Sequence, residues 1–265
     1  MKLCAYIDGI GILGPGISDW TQAADLLSGR QPYAPAATVL PIPSMLPPAE
    51  RRRTGRVVKL ALAIASQATS SAGADPALMA SVFASSGGDG HICHEICEAL
   101  AQPAREVSPT RFSNSVHNVA AGYWSIATGS MAGSNALCAF DASFAAGLLE
   151  VLSLVAVDPR PALLVAYDSE YPQPLHAKRS IPDAFGVALV LAPRRGARSL
   201  AKIQGTLTDE PADSMADPQF EALRRAIPAA RSLPLLSLLA TDCRGRATLD
   251  YLDVARVAVQ LEPCH

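Results

Sequence analysis

Two side chains beside a run of small residues are the first candidates for chemistry. Cys138 and Asp141 end a short apolar segment, and Ala145, Ala146 and Gly147 follow them. This order predicts a buried strand that turns into a helix of small side chains. Cys138 is predicted to pack in the interior, where a free cysteine behaves as an inert hydrophobic residue. Asp141 is predicted to cap the helix, because a helix N-terminus stabilises a carboxylate.

An alternative keeps Cys138 as a nucleophile. A cysteine activated by a nearby histidine attacks acyl thioesters, and His117 is the candidate base. The sequence favours His117 as a satisfied core or interface histidine, on a helix predicted at residues 115–128. A small cysteine-dependent acyltransferase or thioesterase therefore stays open as the second hypothesis.

Four side chains of metal-ligand type lie close together at His91, Cys93, His94 and Cys97. Cys93 and Cys97 share a face of a predicted helix. A structural zinc site usually takes two ligand pairs from separate elements, and no second pair with suitable spacing occurs. The Gly-Gly-Asp-Gly loop at residues 87–90 is too short for a dinucleotide fingerprint, and no Walker lysine follows it. We therefore predict neither a metal site nor a cofactor.

The elements that would position these residues alternate between strand and helix. Apolar runs predict strands at residues 3–13, 79–84, 136–140, 162–167, 185–191 and 200–207. Apolar residues at helical spacing predict helices at 19–28 after a cap at Ser18, and at 56–72, 92–100, 115–128, 143–155, 218–227, 233–239 and 249–259. Proline-rich loops are predicted at 31–48 and 108–112. The alternation indicates an α/β fold.

The composition argues against several functional classes. The 22 basic and 24 acidic residues are dispersed over 265 positions, so we expect no broad charged surface for nucleic acid or a membrane. The arginine cluster at 51–56 is predicted to be a solvated helix start. The first residues lack a signal-peptide pattern, and no run is expected to reach the roughly 18 apolar residues of a membrane helix. Six scattered cysteines predict a reducing, cytoplasmic environment.

Residues 108–150 carry a family resemblance. They read SPTRFSNSVHNVAAGYWSIATGSMAGSNALCAFDASFAAGLLE, with a Ser-Pro-Thr-x-Phe-x-Asn segment, a Gly-Ser-Asn turn, and a strand turning sharply into a small-residue helix. These features resemble the central part of the β-ketoacyl synthases, and similar matches cover roughly residues 1–193. The amino-acid sequence of this stretch is most similar to that of the short chain-length-factor-like proteins of bacterial aryl polyene type pathways.

The resemblance implies a thiolase-like α/β fold, here a single N-terminal half-fold in which helices cover a sheet. Residues 1–195 would form this half, and residues 196–265 would be a short C-terminal extension packed on it. One domain, 1–265, is therefore predicted. Seventy residues are too few for the second half-fold that the family otherwise contains.

The resemblance also implies that the active site is lost. Active members place a cysteine at the elbow between strand and helix, and alignment on the following helix puts Asp141 there. A carboxylate is a poor acyl acceptor and would repel an incoming malonyl carboxylate. The family's second half supplies two histidines and a lysine, whereas this chain has only Lys202 and His265 after Leu191.

We therefore predict a subunit that is non-catalytic by itself. It would pair with an active β-ketoacyl synthase in a type II fatty acid or polyketide pathway of aryl polyene type, with an acyl carrier protein as a further partner. In this family the strand before the elbow meets its counterpart in the other subunit. The interface implied here comprises Ala136, Leu137, Cys138, Ala139, Phe140, Tyr123 and Trp124. A stand-alone acyl-binding or regulatory module is the third hypothesis.

Overall fold

The computed structural model describes residues 2–264 and builds one eight-stranded sheet from them; Met1 and His265 lie outside the described residues. The strands are β1 (Leu3–Leu13), β2 (Ala80–Ala84), β3 (Ser134–Leu137), β4 (Ala162–Asp168), β5 (Phe185–Ala192), β6 (Ala201–Thr208), β7 (Gly245–Asp250) and β8 (Arg256–Pro263). Their order across the sheet is β3-β2-β4-β5-β1-β6-β8-β7. β2 runs parallel to β3 and β4, and the remaining neighbours are antiparallel.

Helices cover both faces of this sheet. They are α1 (Trp20–Leu27), α2 (Pro48–Arg51), α3 (Arg56–Ala72), α4 (Gly90–Ala101), α5 (Pro109–Asn114), α6 (Val119–Thr128), α7 (Ser143–Val157), α8 (Pro218–Ala226) and α9 (Leu233–Thr241). One core cluster joins the sheet to α1, α7 and α9, and a second joins it to α3 and α6. β5 is buried along its whole length and contributes alternate residues to the two clusters, as expected for a central strand. The predicted α/β class is confirmed.

Several element boundaries differ from the predictions. Asp19, not Ser18, caps α1, because its carboxylate accepts the Gln22 N–H. The loop predicted at 108–112 is mostly the short helix α5, since a proline at the first helical position is compatible with a helix. The next helix, α6, begins only at Val119.

The segment 249–259 is the clearest error. It was predicted as a helix, but β7 and β8 form an antiparallel hairpin there. Val257, Val259 and Leu261 point into the core, with Gln260 between them only partly buried. This spacing of two residues is the strand period. In a short window, apolar residues can match the helical period and the strand period in part, and the helix was predicted for that reason.

Residues Phe140–Val157 correct a second expectation, because they form one helical segment long and apolar enough to span a membrane by length and composition. Half of this window is buried inside the chain. α7 makes up most of it and packs on the sheet through Phe144, Leu148 and Leu152. A core helix of a globular protein passes the same test, and the packing of α7 is that of a core helix.

Glycines let β1 approach α3 closely. A Cβ at Gly11 would collide with the backbone carbonyl of Ile64, which the helix cannot move without breaking its own hydrogen bonds. Gly11→Ala is therefore expected to lower the free energy of unfolding by about 1–3 kcal/mol. Gly122 in α6 is the matched control, since a Cβ there meets no atom within 4 Å. Gly122→Ala should raise the free energy of unfolding by about 0.5–1 kcal/mol. Urea denaturation measures both, and equal effects would contradict the close approach.

Residues 196–265 continue the same sheet. β6 pairs with the N-terminal half of β1 from Leu3 to Ile7, and β8 and β7 follow in order. The one-domain organisation stays a prediction that limited proteolysis tests. Because hydrogen bonds and core contacts would have to break together, no stable fragment ending near residue 196 is expected. Recovery of two independently folded pieces would refute it.

Candidate functional site

The chain turns sharply between β3 and α7. β3 ends at Leu137, and a single 3-10 turn, Phe140–Ala142, leads into α7 at Ser143. The buried Ser143 hydroxyl ties this elbow together, since it accepts the Ala139 N–H at 3.1 Å and donates to the Phe140 carbonyl at 2.7 Å. Phe140 has a φ of +52°, a left-handed conformation that costs a non-glycine residue energy. The elbow is therefore a constrained turn held by a specific side chain.

Asp141 lies at this elbow and is bound by two arginines. Its Oδ1 pairs with Arg179 Nη2 at 2.7 Å, and its Oδ2 pairs with Arg231 Nη2 at 3.0 Å. Arg179 also lies over the Phe140 ring, 3.8 Å from its centroid. The predicted helix cap is wrong, because no side chain caps either the 3-10 turn or α7. The turn holds Asp141 two residues before α7, where the guanidinium groups take both of its oxygens.

The ion pairs extend from Asp141 into residues 196–265. Arg231 also pairs with Asp250 at 3.4 Å, and Arg224 pairs with Asp250 at 2.9 Å and with Glu221 at 2.8 Å. The hydrogen bond from Arg224 is the main reason that the pKa of Glu221 falls to about 2. Charges in a shared network satisfy one another better than isolated surface pairs do. The elbow is thereby linked to the C-terminal end of β7.

A buried carboxylate supports the elbow from below. Asp168, at the end of β4, accepts the Ser86 N–H at 2.8 Å through Oδ1 and the Ala229 N–H at 2.9 Å through Oδ2. Ser85 Oγ lies 3.4 Å from the same Oδ1. Burial raises the pKa of Asp168 to about 6, although the hydrogen bonds from Ser86 and Ala229 oppose that rise. Asp168 thus fixes the loop after β2 and the segment that carries Arg231.

Cys138 and His117 lie on either side of the loop after β2. The Cys138 thiol donates to the Ser86 carbonyl at 3.2 Å, and His117 Nε2 lies 3.1 Å from the Ser85 carbonyl. Within residues 2–264 no hydrogen bond joins Cys138 to His117. Cys138 is exposed, so its predicted interior position is wrong. The reason is that β3 is an edge strand, which leaves its last residues uncovered.

The residues implied for a subunit interface divide into two groups. Ala136 and Phe140 are exposed and Leu137 and Ala139 are partly exposed, on or beside the free edge of β3. Tyr123 and Trp124 are buried in the core cluster beneath α3, and the Tyr123 hydroxyl donates to Asn114. An interface role for these two side chains is therefore corrected to a core role, because their helix faces α3.

The four metal-type side chains lie on α4. Cys93 and Cys97 are exposed, and His94 pairs with Glu98 at 3.2 Å. In the part of the chain that the structure describes, no group of three or more histidine, cysteine or acidic side chains is arranged to hold a metal ion.

A mixed sheet covered on both faces, with an elbow between an edge strand and a core helix, is the architecture of thiolase-like proteins. The model of the beta-ketoacyl synthase N-terminal domain matches residues 19–241, and the chain belongs to this family. A comparison with curated proteins found no match.

Solved structures show the same fold. One chain of the complex between the ketosynthase ApeO and its chain length factor ApeC from Xenorhabdus doucetiae is 23% identical, with a TM-score of 0.74 over 97% of this chain and 99% of that one. A chain of the ishigamide ketosynthase/chain length factor is 14% identical, with a TM-score of 0.73 over 99% and 100% of the two chains. A beta-ketoacyl synthase from Burkholderia phymatum is 16% identical, with a TM-score of 0.58, and the match covers 91% of this chain and 71% of that one. The predicted thiolase-like fold is confirmed.

Sequence reasoning missed most of the elbow's partners. Arg179 and Arg231 lie 38 and 90 residues after Asp141, and no local pattern connects them to it. Asp168 had a usable signal, because it is the one charged residue of β4 and ends a strand that is otherwise apolar and fully buried.

Proposed function

We propose that this chain is a chain-length-factor-like subunit, non-catalytic by itself, that pairs with an active β-ketoacyl synthase. The observation that carries the proposal is the pairing of Asp141 with two arginines. Asp141 lies at the position that the family resemblance assigns to the nucleophile. Both of its carboxylate oxygens are engaged by arginines. A carboxylate held in this way makes a poor acyl acceptor, and its charge opposes a malonyl group.

The free edge of β3 supports pairing through this strand. Among residues 2–264, β2 is the one strand that pairs with β3, so the outer side of β3 offers unpaired backbone groups. Exposed apolar side chains flank it at Ile126, Met131 and Phe140. Strand addition at an exposed sheet edge with neighbouring apolar contacts is a common recognition mode. The similar structures include complexes of a ketosynthase with a chain length factor, which supports a ketosynthase as the partner.

The pathway and cellular setting belong to the same proposal. An aryl polyene type pathway is supported by the resemblance of residues 108–150. An acyl carrier protein is a further proposed partner, because one similar structure is a type II acyl-carrier protein in complex with its ketosynthase. The six cysteines form no disulfide, which agrees with a reducing cytoplasm as the proposed location.

Co-purification with the ketosynthase encoded nearby tests the proposal. Leu137→Glu should abolish co-purification, because a buried unpaired charge in an apolar seam costs several kcal/mol. Leu200→Glu is the control, since Leu200 is an exposed leucine that precedes β6, and four strands separate β6 from β3. Because Leu137 packs partly against the core, Leu137→Glu should disrupt pairing more than it disrupts the fold of the single chain, which the unfolding midpoint measures. An unchanged complex with Leu137→Glu would remove β3 from the interface, and no complex with the wild type would favour a stand-alone module.

A further inference from the structure

The α4 helix carries two thiols that the proposed function does not use. Cys93 and Cys97 are free and exposed, and they lie four residues apart in this 12-residue helix. Four residues are about one helical turn, so the two thiols project from the same face. Glu95, which pairs with Arg111 of α5, lies about half a turn away from Cys93. The contact with α5 therefore leaves the cysteine face open.

The spacing of the two thiols is too wide for a disulfide within α4, and it fits a bridging ion. Cβ atoms four residues apart on a helix are separated by about 5–6 Å, whereas a disulfide needs a Cβ–Cβ distance of about 3.5–4.5 Å. Two metal–sulfur bonds of about 2.3 Å each hold their sulfur atoms roughly 4.6 Å apart. Rotation of two exposed cysteine side chains reaches this separation while the helix backbone stays in place. The helix thus favours an ion between the thiols over a disulfide.

The charges near Cys93 favour a bound cation. The pKa of the Cys93 thiol is raised, first by partial desolvation and then by the negative charges of Asp89 and Cys97. Two thiolates on this face therefore repel each other, and Asp89 adds to the repulsion. A cation between the sulfur atoms removes this cost, because it supplies the opposite charge to both thiolates. Binding of the cation releases one proton from each thiol.

The number of ligands selects the kind of ion. His94 pairs with Glu98 at 3.2 Å, and within residues 2–264 no group of three or more metal-type side chains is arranged to hold an ion. Structural zinc is almost always held by four ligands, which this face does not supply. Monovalent copper, Cu(I), is a soft ion that prefers thiolates, and two of them in a linear arrangement complete its coordination. A pair of thiols without a third ligand therefore matches Cu(I).

We propose that Cys93 and Cys97 form a two-coordinate site for the soft monovalent ion Cu(I) on the surface of α4. The ion lies between the two sulfur atoms, which bind it as thiolates. The site lies within one chain and uses no residue of the proposed subunit interface. It therefore does not rest on the pairing with a ketosynthase.

Anaerobic titration of the purified chain with Cu(I), in competition with the coloured chelator bicinchoninate, tests the site. The wild type should bind one equivalent. Cys93→Ser and Cys97→Ser should each bind Cu(I) at least about a hundredfold more weakly, because loss of a direct ligand costs more than the loss of about 10–100-fold that is typical of an outer partner. Cys243→Ser is the matched control and should bind as the wild type does, since Cys243 is a free, exposed cysteine outside α4.

A variant with an unchanged number of cysteines separates the spacing of the thiols from the thiol content. Cys97→Ser combined with Glu98→Cys keeps all six cysteines. It places the second thiol five residues after Cys93, about 140° around the helix, so one ion cannot reach both sulfur atoms. This shifted variant should bind Cu(I) as weakly as Cys97→Ser does. Unchanged urea midpoints show that each variant is folded.

Three results would overturn the inference. The first is less than one equivalent of Cu(I) on the wild type, and the second is wild-type affinity in Cys93→Ser or in the shifted variant. The third is an equal loss of affinity in Cys243→Ser, which would assign binding to the scattered thiols. Zinc bound as tightly as Cu(I) would refute the two-coordinate form. The lone chain is used throughout, so loss of pairing in Leu137→Glu leaves these measurements unaffected.

Discussion

Replacing Asp168 with leucine is expected to lower the free energy of unfolding by about 3–5 kcal/mol. The substitution removes the acceptor of the Ser86 and Ala229 N–H groups, which are both buried, and neither can reach water in the folded chain. Asp168→Asn keeps one acceptor oxygen, so it should lower the free energy of unfolding by less than Asp168→Leu does. Urea denaturation at neutral pH measures the three proteins. Equal stability of the leucine variant and the wild type would show that Asp168 does not hold these segments.

The same carboxyl should make stability depend on pH. Its pKa in the folded chain is about 6, above the ordinary value of 3.8. Between these values the folded chain keeps a proton that the unfolded chain has lost, so stability falls as the pH rises. The contribution is fully present below about pH 4 and is lost as the pH passes 6, for a total of at most about 3 kcal/mol.

Asp168→Asn isolates this contribution. The stability of the wild type relative to the variant should decrease between pH 4 and pH 7, because only the wild type titrates at this position. Denaturation curves taken at several pH values in the same buffer ionic strength provide the comparison. A constant difference over this range would mean that the Asp168 carboxyl is ionised throughout.

The lone chain is expected neither to accept an acyl group nor to release carbon dioxide from a malonyl carrier protein. Asp141→Cys should not restore condensation, because the histidine pair and lysine of active family members have no counterpart after Leu191. Modest acylation of the new thiol at the constrained elbow would be compatible with this result. Intact-mass spectrometry and carbon dioxide release measure the two steps. Turnover by the wild type that disappears in Asp141→Ala would overturn the non-catalytic interpretation.

Asp141 is also expected to stabilise the fold. Asp141→Ala and Asp141→Cys leave Arg179 and Arg231 without their shared carboxylate, at a cost of about 1–3 kcal/mol for this partly exposed site. Asp158→Ala is the matched control, because Asp158 pairs with Arg160 on the open surface. That control should show no measurable change in the urea midpoint. If both aspartate variants behaved alike, the arginine pair would have no structural role.

These two carboxylates have different tasks in one site. Asp168 is buried and bonded mainly to backbone N–H groups, so it sets the positions of two loops. Asp141 is partly exposed and bonded only to side chains, so it links the elbow to Arg179 and Arg231. Both carboxylates therefore stabilise the surroundings of the elbow, Asp168 through backbone N–H groups and Asp141 through arginine side chains.

The sequence by itself determined the elements whose signals are local. The α3 helix was predicted with its observed bounds because its apolar residues follow the helical period over 17 positions between two glycines. The bounds of the buried strands β4 and β5 were predicted within one residue. A short apolar run between turn signals is typical of a buried strand and is too short for most helices. The motifs of residues 108–150 identified the family correctly. Several short motifs that occur in the same order as in the family are specific together, even though each motif alone is not.

Only the tertiary structure decided which residues meet. The β7–β8 hairpin was missed because a strand is stabilised by hydrogen bonds and packing against a neighbouring strand. The spacing of apolar residues within a short segment does not indicate whether such a neighbouring strand exists. Cys138 was placed in the interior because its sequence surroundings are apolar, whereas its exposure follows from the position of β3 at the edge of the sheet. The pairing of Asp141 with Arg179 and Arg231 is likewise a property of the fold. The two arginines lie 38 and 90 residues after Asp141 in the sequence, and these separations do not determine the distances in space on which Coulomb attraction depends.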